Sequence, residues 1–309
     1  MTLRIIKIEG PDEPSGGEDA AREEALARAL SGTLRQQRFS ASIGDLERAL
    51  LKRFPAEDAE DWDRTGLLVG DPASPITGVA VALDPTIDAI EAAARAGANV
   101  LLTHHPAFLA PPDSFKPATS VALSSGAGVY SAIKHGVALM NFHTALDVSP
   151  EAQQMLPGLL GLAFGRVVEP LLGKPGKGYG QLCSVAGPVL TLGQLSARCT
   201  SVFGRAPRVW GDFSRPVRTV VTCTGSAGPT GRAALTAGAD CLVAGEVKYH
   251  EALDLSQAGL CVVELGHAVS ELPFCRVLAR AAVEAGVPGE LVMIVRQDER
   301  WAYPEAVRV

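Results

Sequence analysis

The sequence lacks a Cys-x-x-Cys pair, an apolar run long enough to cross a bilayer, and any excess of basic charge. Its six cysteines, Cys183, Cys199, Cys223, Cys241, Cys261 and Cys275, are scattered through the second half. Zinc-ribbon and dithiol redox chemistry need closely spaced thiols and find no support here. Several of these cysteines sit in strand-like runs such as RTVVTCT and GLCVVELG, where a reduced thiol packs as a small hydrophobe. No stretch reaches the about 18 apolar residues of a membrane span. The opening MTLRIIKIEGPDE has neither the apolar core nor the cleavage pattern of a secretory signal. A cytoplasmic protein without a membrane partner is therefore expected. Lys plus Arg number 28 against 34 Asp plus Glu, a net charge of -6. Such a chain has no general attraction to phosphate backbones, and a nucleic-acid partner is not expected. Histidine is scarce as well, with six in 309 residues, so where each one falls is informative.

What is present is a chain with 47% hydrophobic residues, enough for one large or two ordinary domains with sizeable cores. Residues 1–40 form a separate compositional block, an N-terminal extension that includes the helix-capable AAREEALARAL. Organised patterning begins at SIGDLERALLKRF, where Ile43, Leu46, Leu50 and Phe54 recur at helical intervals. Strand-like GVAVALD, NVLLT and GVALMNF then alternate with helical segments, as βαβ units do. The stretch LLGKPGKGYGQ interrupts this rhythm, and its glycines and proline suggest a connection or mobile loop. It does not match a P-loop. Beyond it come the strand-like QLCSVAG, VRTVVTCT, CLVAG and GLCVVELG, a helix over about 269 to 285, and a strand at ELVMIVR. The expected fold is α/β, with two related lobes of mostly parallel strands facing a shared metal-binding crevice. Residues 41–168 form the first lobe, 169–182 a Gly-rich connection and 183–309 the second lobe.

A weak internal repeat supports the two lobes. AGANVLLTHH resembles AGADCLVAGE, and GVALMNFHTALD matches GLCVVELGHAVSE. Both later segments end in His-x-x-x-carboxylate, His143 to Asp147 and His267 to Glu271.

Five of the six histidines fall at four corresponding strand ends, and the carboxyl ends of strands are where open α/β sheets place their ligands. His104 and His105 precede Pro106, which disfavours helix at His105. Their side chains diverge, so they can reach two metals, or one metal and a second partner; hydrogen bonding within a loop is the other reading. His267 and Glu271 are spaced to share one helical face, and imidazole and carboxylate are both good ligands for Zn, Fe, Mn, Co or Ni. Gly266 before them permits a close approach or an unusual turn. Asp147 is a further ligand candidate, and His143 a ligand, an orienter or a proton carrier. Glu246 and His250 are candidates for acid/base or supporting roles, against ordinary capping. His135 falls near a helix end and reads as a surface or capping residue.

The segments WDRTGLLVG, VALD, LLTHHP, FHTALD, AGEVKYH and GHAVSE, in this order, resemble the NIF3-like family, also called the GTP cyclohydrolase 1 type 2 homologue family. The resemblance runs from residue 43 to near the end. It implies two divalent metal ions per subunit on His104, His105, Asp147, His267 and Glu271, with Glu271 between the metals. It also implies a short-form member, a homohexamer with sites facing an internal cavity. The chain departs from the family pattern at Arg64 and Ala145, where asparagine is usual, and near Tyr249, where a second histidine is usual. The implied activity is a metal-dependent hydrolase acting on GTP or another nucleotide, with His143, Glu246 or His250 moving the proton. Lys248, Arg64 or the GKPGKG segment would hold phosphate. A metal-dependent phosphohydrolase and a non-catalytic metal-binding scaffold are the alternatives.

Overall fold

The structure, a computed structural model, describes residues 5–7, 41–119, 125–297 and 301; the AAREEALARAL segment lies outside them. Its first six-stranded sheet runs β1 (Ile5–Lys7), β14 (Val292–Val295), β3 (Val79–Ala82), β4 (Val100–Thr103), β5 (Ala138–Asn141), β2 (Gly66–Val69). Strands β14, β3, β4 and β5 are parallel, and the edge strands β1 and β2 are antiparallel to their neighbours. Every residue of β3, β4 and β5 is buried, which is why their sequences VAVA, VLLT and ALMN are apolar runs rather than alternations. Helices Ile43–Arg53 and Phe274–Glu284 cover one face of this sheet. Helices Ile87–Arg95 and Ser125–His135 cover the other. The first of these helices starts at a capping box between Ser42 and Asp45 and buries Ile43, Leu46 and Leu50, with Phe54 buried just past its end.

The second six-stranded sheet runs β6 (Leu162–Leu171), β7 (Lys174–Val185), β11 (Thr219–Ser226), β12 (Cys241–Glu246), β13 (Cys261–Glu264), β9 (Arg208–Trp210). Its centre, β11, β12 and β13, is again parallel with antiparallel flanks, and β8 (Leu190–Thr191) and β10 (Pro216–Val217) form a separate antiparallel pair. Helices again lie on both faces, Leu192–Phe203 on one and Thr230–Thr236 with Tyr249–Gln257 on the other. The repeat read from sequence is visible in single hydrogen bonds. The Thr77 amide donates to Asn99 Oδ1 at 2.8 Å, and the Arg218 amide donates to Asp240 Oδ2 at 2.8 Å, just ahead of the corresponding strands. The cysteines are buried free thiols, and burial pushes the Cys183, Cys199, Cys223 and Cys275 thiols up to about 12.

Three expectations are corrected. The Gly-rich stretch is no connection or loose loop: it is the β6–β7 hairpin of the second sheet, pairing Glu169 with Tyr179 and Pro170 with Gly178. The chain's last strand and last long helix belong to the first sheet, because β14 pairs β3 and helix Phe274–Glu284 packs against Val79, Val100 and their neighbours. The boundary drawn at residue 183 thus misses a return crossing. The single helix expected over about 269 to 285 is two, His267–Glu271 and Phe274–Glu284, separated where Pro273 cannot donate an amide to a continuous helix.

Candidate metal centre

The carboxyl ends of the central parallel strands of both sheets bring their loops to one place. His104 and His105 follow β4, His143 follows β5, and Asp147 ends the short helix Thr144–Asp147. From the other sheet, helix His267–Glu271 follows β13 and supplies both of its terminal residues. Gly266 takes φ 106° to start that helix, a value that L side chains rarely adopt. Beneath it, Gly225 at the end of β11 has φ 57°, and a Cβ there would stand 2.2 Å from Glu271 Oε1. The Gly225 amide donates to Ser270 Oγ at 2.9 Å, so this glycine both seats the helix and makes room for the carboxylate.

The four imidazoles are aimed by their Nδ1 atoms. His104 Nδ1 lies 3.1 Å from the Phe142 carbonyl, His105 Nδ1 2.7 Å from Asp84 Oδ1, His143 Nδ1 3.0 Å from Asp63 Oδ1, and His267 Nδ1 3.0 Å from Glu246 Oε2. An acceptor at Nδ1 places the proton there and leaves Nε2 as the lone pair, the arrangement by which proteins orient metal-ligating histidines. His105 Nε2 and His267 Nε2 stand 3.1 and 3.2 Å from Glu271 Oε2, and His104 Nε2 stands 3.6 Å from both Asp147 Oδ1 and Glu271 Oε1. Three overlapping sets could each hold an ion: His104, His105 and His143; His105, His267 and Glu271; His104, Asp147 and Glu271.

These residues fit a metal. His104 Nε2, Asp147 Oδ1 and Glu271 Oε2 are buried without a hydrogen-bond partner, a cost that persists unless something binds them. In the metal-free protein, protons partly stand in for a cation. Burial opposes the charge on His105, but Asp84 and Glu271 outweigh it and raise this group to about 10. His267 rises to about 8, chiefly through the Glu271 carboxylate beside it. Burial would raise Glu271, yet His104, His105 and His267 hold it well below the usual carboxylate range. Asp147 is raised by burial despite His104. All three histidines surround one acid, so a cation at their centre would replace the protons and satisfy both.

All five residues expected as metal ligands come together, and His143 joins them. Glu246 does not face the cluster as a free base; it is the acceptor that orients His267. His250 is exposed on helix Tyr249–Gln257, its ring against Tyr249 at 5.2 Å, and it is absent from the cavity beside the cluster. The residues expected to hold phosphate are absent from the cavity lining: Lys174 and Lys177 both pair with buried Asp58, Arg64 Nε donates at 3.1 Å to the carbonyl of Leu109, itself a lining residue, and Lys248 is exposed. His135 lies in the last turn of its helix and is exposed, as expected. Sequence reasoning missed Asp84 and Asp63 as orienters. Their signal was a lone carboxylate after a strand or in a turn, which nothing local distinguishes from a capping residue. Burial opposes ionisation of Asp63, but the His143 and Thr144 hydrogen bonds hold it at about 2.

A cavity of about 780 Å³ opens beside the cluster. The β6–β7 hairpin contributes Glu169, Tyr179 and Gln181 to its wall, and the first lobe contributes Glu60, Trp62 and His143.

The model of the Duf34/NIF3 (NGG1p interacting factor 3) family matches residues 41–298. The chain belongs to this family. A family relative from Streptomyces coelicolor, described as a GTP cyclohydrolase 1 type 2 homolog, is 31% identical over 245 residues, 75% of this chain and 82% of the relative. A Clostridium perfringens relative with the same description is 28% identical over 232 residues, 75% of this chain and 87% of its own. Among solved structures, a hypothetical protein of Staphylococcus aureus superposes with TM-score 0.76 at 23% identity, covering 86% of this chain and 100% of that one. A Bacillus cereus protein related to NIF3 gives TM-score 0.75 at 19% identity, over 86% of this chain and 99% of that one. These two likenesses establish the family fold for the chain. No helix among the described residues is long and apolar enough to cross a membrane.

Proposed function

We propose that this family member is a hydrolase that adds water across a C–N bond of a heteroaromatic compound, with two ligand sets that share Glu271 and would hold divalent metal ions. The observation behind this reading is the pairing of ligand sets with a cavity. Glu271 is shared by the set with His105 and His267 and by the set with His104 and Asp147, and the cluster borders a space large enough for a small molecule. When bound, such ions would lower the pKa of water and neutralise developing negative charge. Mixed imidazole and carboxylate ligation suits Zn, Fe, Mn, Co or Ni.

The protein's own residues have separate tasks. Asp63, held ionised, keeps the proton of His143 on Nδ1, so Nε2 is the nitrogen able to take one from water. Hydrolysis forms a C–O bond and breaks a C–N bond, and the proton accepted by His143 ends on the departing nitrogen. Asp84 and Glu246 hold His105 and His267 in place. The description of the relatives supplies GTP as one test compound. Assembly as a hexamer with the cavities facing inward belongs to this proposal too.

The test is turnover of a panel of nucleosides and nucleotides, including GTP, by metal-loaded protein, with product mass read directly and Glu271→Ala as control. A ring-opened product formed only by the intact site is expected. Phosphate release would replace this reading with a phosphohydrolase, and no product from protein of verified metal content would leave a metal-holding scaffold.

A further inference from the structure

Among the described residues, the cavity wall beyond the metal cluster carries two carboxylates, Glu60 and Glu169, and no Lys or Arg. Glu60 and Glu169 are half-buried in it, and neither has a Lys or Arg partner among the described residues. Thr230 Oγ1 donates to Glu169 Oε1. Directly across the hairpin from Glu169 stands Tyr179, whose hydroxyl oxygen is buried without a hydrogen-bond partner. Burial and the Asp147 and Glu60 carboxylates raise its pKa, so it is a neutral phenol. Trp62, in the cavity wall, is 55% exposed, and its ring is T-shaped to that of His143 at 5.8 Å.

We infer that the site accepts the unphosphorylated form of its substrate, a heteroaromatic amine recognised by its N–H edge, and discriminates against the same compound carrying phosphate. This rests on the hydrolase reading above and specifies its substrate class. Glu60, Asp147, Glu169 and Glu271 line the cavity, and two divalent ions would offset only these four carboxylates. Asp63, Asp84 and Glu246 behind the histidines keep the surroundings negative. A phosphate would add like charge to a partly enclosed space where screening is weak. An amidine-like edge with neighbouring N–H groups instead meets carboxylates that accept such bonds in pairs. Stacking on Trp62 would add affinity for any flat ring.

The test is titration calorimetry of metal-loaded protein with guanosine and with GMP, which share a base and differ by one phosphate. Metal content is measured before and after. Guanosine is expected to bind at least tenfold more tightly than GMP. Glu169→Gln, which can still accept from Thr230, should weaken guanosine binding about tenfold and shrink its advantage over GMP. Equal or tighter binding of GMP, no binding of guanosine, or an unchanged ratio in Glu169→Gln would overturn the inference. The two readings fail separately: guanosine bound but never converted leaves the recognition standing and removes the hydrolase, while turnover that favours GMP does the reverse.

Discussion

At the residue scale, the site consists of one acid held by three imidazoles, and each imidazole is held in turn. Glu271→Ala removes the group shared by two ligand sets. It should lose most bound metal, read by elemental analysis, while far-ultraviolet circular dichroism stays native. Full occupancy in a folded variant would end the bridging assignment. His250→Ala and His135→Ala, both exposed away from the cluster, should keep wild-type metal content. A second expectation concerns protons. In the metal-free protein His105 and His267 have pKa values raised to about 10 and about 8, so both hold protons at pH 7 and lose them only as pH rises through those values. Ligation needs the neutral rings, so metal uptake at pH 7 should expel protons and tighten as pH rises toward 8. Calorimetry in buffers of different ionisation enthalpy measures the number released; a value of zero would contradict the hydrogen-bond geometry.

At the scale of elements, two short pieces do most of the positioning. Helix His267–Glu271 rests on the end of β11, where Gly225 leaves space for Glu271. Gly225→Ala should push that carboxylate out of register, lowering metal affinity about tenfold or more and stability by about 1–3 kcal/mol, as overpacking does. Retention of wild-type affinity would mean that the helix shifts freely. The β6–β7 hairpin is anchored by Lys174 and Lys177 on buried Asp58. Burial opposes the Asp58 charge, but these lysines lower its pKa. A group lowered in this way contributes stability above its unfolded value near 3.9 that disappears as pH falls through the folded value. Asp58→Asn should therefore lower Tm at pH 7 and narrow the difference from wild type at acidic pH.

At the scale of the whole molecule, the chain leaves the first sheet, builds the second and returns to complete the first. Removing residues 287–309 takes β14 from between β1 and β3, together with buried Val292 and Val295. Loss of cooperative unfolding and of soluble protein is expected. Among the described residues, removing residues 1–38 takes only the edge strand β1, and it should preserve metal content. Comparison of the two truncations by thermal melting and elemental analysis checks this asymmetry; equal damage would show that the edge strand matters as much as the interior one.

The ligands were legible in sequence because strand ends are: apolar runs such as VLLT and CVVE show where β4 and β13 stop, and the residues just beyond them must lie at the sheet's carboxyl edge. The repeat was legible for the same reason, since each βα unit needs the same turn. Several decisions belonged to the tertiary structure alone. Counting from Val100 and Cys241, which pair at matching places, Glu246 occupies the position of His105. One binds at the cluster and the other orients a neighbour, a difference set by what stands opposite rather than by local pattern. Asp63, Asp84 and Gly225 acquire their roles only from partners distant in sequence. The glycines of the hairpin hid two long strands, and β14 carried no mark of the sheet it would join. Sequence determined which backbone segments could be strands and which side chains could ligate, through burial periodicity and donor chemistry. Only packing decided which strand met which, and therefore which donors converged.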